Sequence, residues 1–230
     1  MINLKNIYIY GDVNSQTNLF MIKIRLREIR NSHIIILSNF GIGVNKIIKT
    51  EKLLIKLNNE LILRNIILYL NKGNMDNSKQ FKNYKSKFSN IKFISNYDIV
   101  TINHKNFLFL NNLVPLNRSY NYNPKRTKIT TFLKSDIKSK LSVNYVISNE
   151  LPTFISPYNM NNIKPFSKSD KWLYNDVKKN RINMDKVYNN IIESNGHIIK
   201  WFNSTYDKNL IETKDNTDFV KIKKLKLIKL

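Results

Sequence analysis

The chain has 230 residues, 42% of them hydrophobic, which is long enough for one domain with a substantial core. Lys and Arg number 39 against 16 Asp and Glu, and the resulting net charge of +23 favours polyanionic partners, either nucleic acid or an anionic membrane surface. The lack of cysteine excludes disulfides, thiolate nucleophiles and Cys-ligated zinc, and no apolar run reaches the length of a membrane-spanning helix.

Ile7-Tyr8-Ile9-Tyr10 reads as a buried strand closed by Gly11-Asp12-Val13-Asn14. Residues 15 to 31 show helical spacing, with Leu19, Ile22, Leu26 and Ile29 expected on the inward face. A second strand, His33 to Leu37, ends in Ser38-Asn39-Phe40-Gly41-Ile42-Gly43, and a helix is expected over Glu51 to Arg64. The third strand, Ile66 to Leu70, stops at Gly73 and presents Asn74, Met75 and Asp76. Asn74 and Asp76 suit a metal or a phosphate, whereas Met75 is a poor ligand for hard cations. Strand, helix, strand, helix, strand implies right-handed crossovers and a parallel sheet whose polar turns converge on one edge.

From residue 90 the pattern changes to strands at Ile91 to Ile94, Asp98 to Asn103 and Phe107 to Leu110, with His104-Lys105-Asn106 as a hairpin turn. Residues 120 to 140 form a basic insertion in which Lys125, Arg126, Lys128, Lys134 and Lys138 alternate with Tyr120, Tyr122 and Phe132. That mixture suits phosphate contact and base stacking, or equally a solvated basic loop. Val143 to Ile147 is a further strand ending in Ser148-Asn149-Glu150-Leu151-Pro152. A polar helix follows over residues 170 to 194, facing inward through Trp172, Leu173, Val177, Met184, Val187, Ile191 and Ile192. The last strands are Ile198 to Phe202 and Phe219 to Leu230. Lys221, Lys223, Lys224 and Lys226 either guard an edge strand or lie on nucleic acid as a basic tail.

The order of these strand-end motifs resembles the calcineurin-like metallophosphoesterases, in the compact type of phages and bacteria. The corresponding stretches are Gly11-Asp12-Val13-Asn14, Ser38-Asn39-Phe40-Gly41, Gly73-Asn74-Met75-Asp76, Leu116-Asn117-Arg118-Ser119, Ser148-Asn149-Glu150-Leu151-Pro152 and Asn203-Ser204-Thr205-Tyr206. The resemblance covers nearly the whole chain and implies a single domain, residues 1 to 230, with an α/β fold: a four-layer α/β/β/α sandwich of mixed sheets. It also implies two metal ions, bridged by a carboxylate, that activate water against a phosphoester.

Position by position, the resemblance leaves Asp12 as a metal carboxylate and Asn74 as an amide ligand. Asn14 stands where a His belongs, Asn39 replaces the bridging carboxylate, Met75 replaces a His beside the leaving group, and Asn149 replaces another His ligand. Ser204 and Tyr206 occupy the final His pair. Loss of the bridging charge and of the imidazoles removes what holds two divalent cations close together. The expectation is therefore no catalytic residue and no resident cofactor, with Asp12 and Asn74 able at most to hold a hydrated Mg²⁺ or Mn²⁺ weakly.

The composition, without alanine and rich in Asn, Lys and Ile, marks an AT-rich coding sequence. Such pressure inflates Lys but does not strongly disfavour Asp and Glu codons, so the charge imbalance exceeds it. The N-terminus carries no signal-peptide or presequence pattern. The expected function is a non-catalytic, basic subunit that binds nucleic acid, chiefly RNA, through Arg118, Lys125, Arg126, Lys128, Lys134, Lys138, Lys221, Lys223, Lys224 and Lys226. Its expected setting is a large ribonucleoprotein such as an organellar ribosome, in an intracellular reducing compartment, the mitochondrial matrix if the gene is organellar. The alternatives are a divergent metal-dependent phosphodiesterase with a reduced site and a protein-interaction subunit of a viral or organellar complex.

Overall fold

The computed structural model describes residues 4–44, 46–73, 76–111, 114, 142–155, 170, 172–194, 196–205 and 209–230. The β-branched runs of the N-terminal half form β1 (Asn6–Tyr10), β2 (Ser32–Ile36), β3 (Ile66–Asn71) and β4 (Ile91–Ile94), paired in parallel. They are joined through α1 (Thr17–Leu26), α2 (Ile47–Leu63) and the short α3 (Ser78–Asn83). The second sheet contains β5 (Ile99–Ile102), β6 (Lys105–Leu110), β7 (Tyr145–Ser148), β8 (Lys200–Thr205), β9 (Leu210–Lys214) and β10 (Thr217–Lys223). Two further elements complete the set: α4 (Leu173–Glu193) lies between β7 and β8 in the chain, and β11 (Leu227–Lys229) ends it.

The first sheet has the order β11-β1-β2-β3-β4 and the second β5-β6-β7-β8-β10-β9. Both are mixed: β11 is antiparallel to β1, and in the second sheet the antiparallel edges β5 and β9 flank a parallel centre. β5 and β6 are joined by a two-residue turn in which Asn103 and His104 both have positive φ, so the turn lies one residue earlier than the sequence suggests.

Three apolar interfaces define four layers. Between the sheets, Ile7, Ile9, Ile35 and Tyr69 meet Phe107, Phe109, Tyr145, Ile147 and Phe202. Outside the first sheet, Tyr10, Ile34, Ile36, Leu68 and Leu70 pack on Phe20, Ile24, Leu54, Leu57 and Leu61. Outside the second, Leu108, Val146, Trp201 and Phe219 pack on Met184, Val187, Tyr188 and Ile191 of α4. The molecule is thus an α/β sandwich layered helix, sheet, sheet, helix. Strands covered on both faces favour apolar side chains at successive positions, which is why Ile34-Ile35-Ile36 of β2 is a continuous apolar run rather than an alternating one. Each such side chain contributes roughly 1.5–3 kcal/mol on burial.

Several expectations need correction. In α1 the buried face is Thr17, Phe20, Met21 and Ile24, while Leu19, Ile22 and Leu26 face solvent. The helix carries two apolar stripes, and the one with the larger aromatic side chain takes the core. In α4, Leu173, Val177, Met184, Val187 and Ile191 are buried as expected, but Trp172 and Ile192 are exposed. Residues 219 to 230 are not one edge strand. β10 lies inside the second sheet between β8 and β9, and β11 forms an edge of the first. The chain passes from one sheet to the other through a turn at Leu225, which has φ 58°. No helix among the described residues is long and apolar enough to cross a membrane.

Candidate functional site at the strand ends

β1, β2 and β3 run parallel, so the loops that follow them gather at one edge of the sandwich. Gly73 makes this approach possible, because a Cβ there would stand 2.3 Å from the backbone nitrogen of Asn39. A Cβ on Gly11 would likewise stand 2.3 Å from the carbonyl oxygen of Lys223. Asn14, Ser15 and Asn39 all have left-handed backbone φ, of 49°, 61° and 51°, a conformation in which Asn is among the better-tolerated residues.

Asp12 is buried at the centre of this edge, 4% exposed. Its Oδ1 accepts the Asn14 backbone N–H at 2.6 Å, and its Oδ2 accepts the Asn39 side-chain amide at 2.6 Å. Burial pushes its carboxyl up to about 6 against the pull of those two donors, with nearby Asp76 adding to the rise and Lys224 opposing it. The Asp12 backbone N–H in turn donates to the Ser204 hydroxyl of β8 at 2.7 Å, tying the first sheet to the second. Ser204, at a position where the resemblance implies a His, thus accepts a backbone hydrogen bond.

Asp76 has a structural task. Its two oxygens accept the backbone N–H groups of Phe40 (3.3 Å), Gly41 (2.7 Å), Ile42 (2.8 Å) and Gly73 (2.8 Å). It pins the loop after β2 to the loop after β3, with both oxygens occupied by backbone donors. Burial holds its carboxyl above the ordinary range despite those four donors.

A ladder of asparagine amides extends the edge across the sandwich. Asn71 donates to the Leu37 carbonyl at 2.8 Å, Asn149 to the Lys72 carbonyl at 2.7 Å, and Asn203 to the Ser148 carbonyl at 3.1 Å. These bonds link β3 to the end of β2, the loop after β7 to the end of β3, and β8 to β7. Asn149 bridges the two sheets from the position where the resemblance implies an imidazole.

The described donors do not fit a pair of divalent cations. Of the two carboxylates in the loops after β1 and β3, Asp76 is saturated by backbone donors and Asp12 faces two N–H groups, while Asn39, Asn149 and Ser204 are uncharged. Asn74, Met75 and Tyr206 lie outside the described residues, as do Arg118, Lys125, Arg126, Lys128, Lys134 and Lys138.

Of the C-terminal lysines, Lys223 and Lys226 are exposed and Lys224 is half-buried, all on the crossing from β10 to β11. This crossing wraps the Asp12 loop: Gly11 N–H donates to the Lys226 carbonyl at 2.8 Å, and Leu225 N–H to the Asp12 carbonyl at 3.0 Å. Lys221 does not belong to an exposed basic surface. Its side chain is buried within β10 and pairs with Glu212 of β9, because β10 is an internal strand.

Sequence reasoning also missed Arg181 of α4. Its guanidinium donates to the carbonyls of Leu151, Pro152, Thr153 and Ile155. Four residues along the same helix, Asp185 accepts the Thr153 N–H and hydroxyl at 2.6 and 2.7 Å. The i, i+4 pair of opposite charges in a polar helix was the available signal, and it reads equally as a surface ion pair.

No protein-family model matches the chain. No curated protein matches it either. Among solved structures it is similar to GAP50, the anchor in the inner membrane complex of Plasmodium, at 14% identity and a TM-score of 0.46, over 95% of this chain and 71% of that one.

Proposed function

We propose that the chain is a metallophosphoesterase-like scaffold without the catalytic metal pair, serving as a basic structural subunit that binds nucleic acid, chiefly RNA, in a ribonucleoprotein such as an organellar ribosome. The observation that carries this reading is the bond from the Asn39 amide to Asp12 Oδ2. A donor N–H takes the carboxylate face that a cation would need, at the position where the resemblance implies a second, bridging carboxylate. The Asp12 carboxylate is thereby held by protein donors, and the amide N–H groups of the asparagine ladder hold the strand ends together. The net charge of +23 and the exposed Lys223 and Lys226 support contact with phosphate, which confers affinity with little sequence readout.

Fluorescence anisotropy of the purified chain with a labelled single-stranded RNA tests the binding half of the proposal. The logarithm of affinity is expected to fall linearly with the logarithm of salt concentration, by roughly three-hundredfold between about 50 and 200 mM if about six phosphates are contacted. Affinity that does not respond to salt contradicts it. Turnover of a chromogenic phosphodiester with Mn²⁺, abolished by Asp12→Ala, would instead establish the reduced-site phosphodiesterase.

A further inference from the structure

We propose that the outer face of α1 and α2 is a docking surface for an anionic lipid bilayer. α1 is apolar on two opposite sides. Phe20, Met21 and Ile24 enter the core, while Leu19, Ile22 and Leu26, spaced i, i+3, i+7, point to solvent, with Leu26 79% exposed. α2 repeats the arrangement: Leu54, Leu57 and Leu61 are buried, and Ile48, Ile55 and Ile62 form an exposed stripe at seven-residue spacing, with Ile48 68% exposed. A surface helix ordinarily turns polar residues outward, and one that is apolar on both sides is covered in its working state.

The topology puts both stripes on one side of the molecule. β1, β2 and β3 are neighbours in a parallel sheet, so successive right-handed crossovers place α1 and α2 on the same face. Arg25 of α1 confirms the adjacency by pairing with Glu60 of α2 at 2.6 Å. The furrow between the helices is therefore charged, through Arg25, Glu60 and Arg64. A partner helix would seat its apolar ridge in that furrow and meet an ion-pair network. A bilayer instead meets the crests, where the aliphatic side chains stand.

The charge of the face favours anionic lipid. Lys46, Lys49, Lys52 and Lys56 are exposed along α2. The two acids of that helix are already paired, Glu51 with Lys87 and Glu60 with Arg25 and Arg64, so the lysines set the sign. Lysine stems lie along apolar surface while their ammonium groups reach headgroup phosphates, and a mixed Ile/Leu and Lys face uses both terms of interfacial binding. RNA would use the lysines and leave six aliphatic side chains in water.

Co-sedimentation of the full chain with phosphatidylcholine vesicles containing about 30% phosphatidylglycerol tests this, against phosphatidylcholine alone. Binding is expected only to the anionic vesicles and weakens with salt. The triple variants Leu19→Gln/Ile22→Gln/Leu26→Gln and Ile48→Gln/Ile55→Gln/Ile62→Gln each lower it about tenfold or more while RNA affinity is unchanged. The absence of cysteine offers a second readout that needs no folded triple variant. An environment-sensitive fluorophore on Leu26→Cys shifts to the blue with anionic vesicles, and one on Lys179→Cys, exposed on the opposite helical layer, does not. No vesicle binding, equal binding by the triple variants, loss of RNA affinity in those variants, or equal shifts at the two labels would each overturn the proposal, the third by assigning the face to RNA.

Discussion

Asp12 and Glu150 are both buried carboxyls at the strand-end edge, and both are pushed upward by burial, the first to about 6 and the second from an ordinary 4.5 to about 7. Glu150 accepts only the N–H of its neighbour Leu151, at 3.1 Å, and feels the charge of Arg181 without a hydrogen bond from it among those described. A folded-state value above the unfolded one means that the folded chain holds the proton more tightly. Glu150's contribution is therefore fully present below about pH 4.5 and is lost as pH rises through about 7. A displacement of that size corresponds to roughly 3 kcal/mol. Glu150→Gln keeps an acceptor for the Leu151 N–H and removes the charge. It is expected to flatten the fall in stability between pH 5 and pH 8 and to raise stability at pH 8 by about 1–3 kcal/mol, read from urea unfolding at the two pH values. An unchanged pH slope contradicts the assignment. Asp12 acts with the same sign over a lower window, from its ordinary 3.8 to about 6.

At the scale of elements, α4 holds the segment after β7 through one cation and one anion. Arg181 gathers four backbone carbonyls from residues 151 to 155, and Asp185 takes two donors from Thr153. Replacing Arg181 with Met keeps much of the packing and leaves those carbonyls without their charged donor. Arg181→Met is expected to cost about 2–4 kcal/mol and to speed hydrogen exchange at Thr153 and Ile155, measured by mass spectrometry. Exchange as slow as in the parent would show that the segment is held by other means. The strands were legible in the sequence because β-branched runs covered on both faces leave an unbroken apolar signal, as in Ile34-Ile35-Ile36. The phase of α1 was not legible, since Leu19/Ile22/Leu26 and Phe20/Met21/Ile24 satisfy helical periodicity equally. Nor was the division of the C-terminus into β10 and β11, because the turn at Leu225 has neither Gly nor Pro to mark it.

Across the whole molecule, the two sheets are tied at the edge where strand ends gather: by Asp12 N–H to Ser204, by Asn149 to the Lys72 carbonyl, and by the chain itself as it crosses from β10 to β11. The sequence showed which residues stand at this edge but not what they do there. Asparagine is foremost a turn former, so bonds such as Asn149 to Lys72 and Asn203 to Ser148 leave no mark in sequence spacing. Asp76 likewise reads as a ligand beside Gly73, and only the folded loops reveal four backbone donors on it. In the proposed function, hydrogen bonds among Asp12, Asn39 and the asparagine ladder stand in place of a metal pair. Calorimetric titration of the purified chain with Mn²⁺ decides between the two. The expected result is no more than one weakly held ion per chain at concentrations on the order of 1 mM, with no gain in thermal stability beyond that of weak binding; two Mn²⁺ ions per chain bound with micromolar affinity would contradict it.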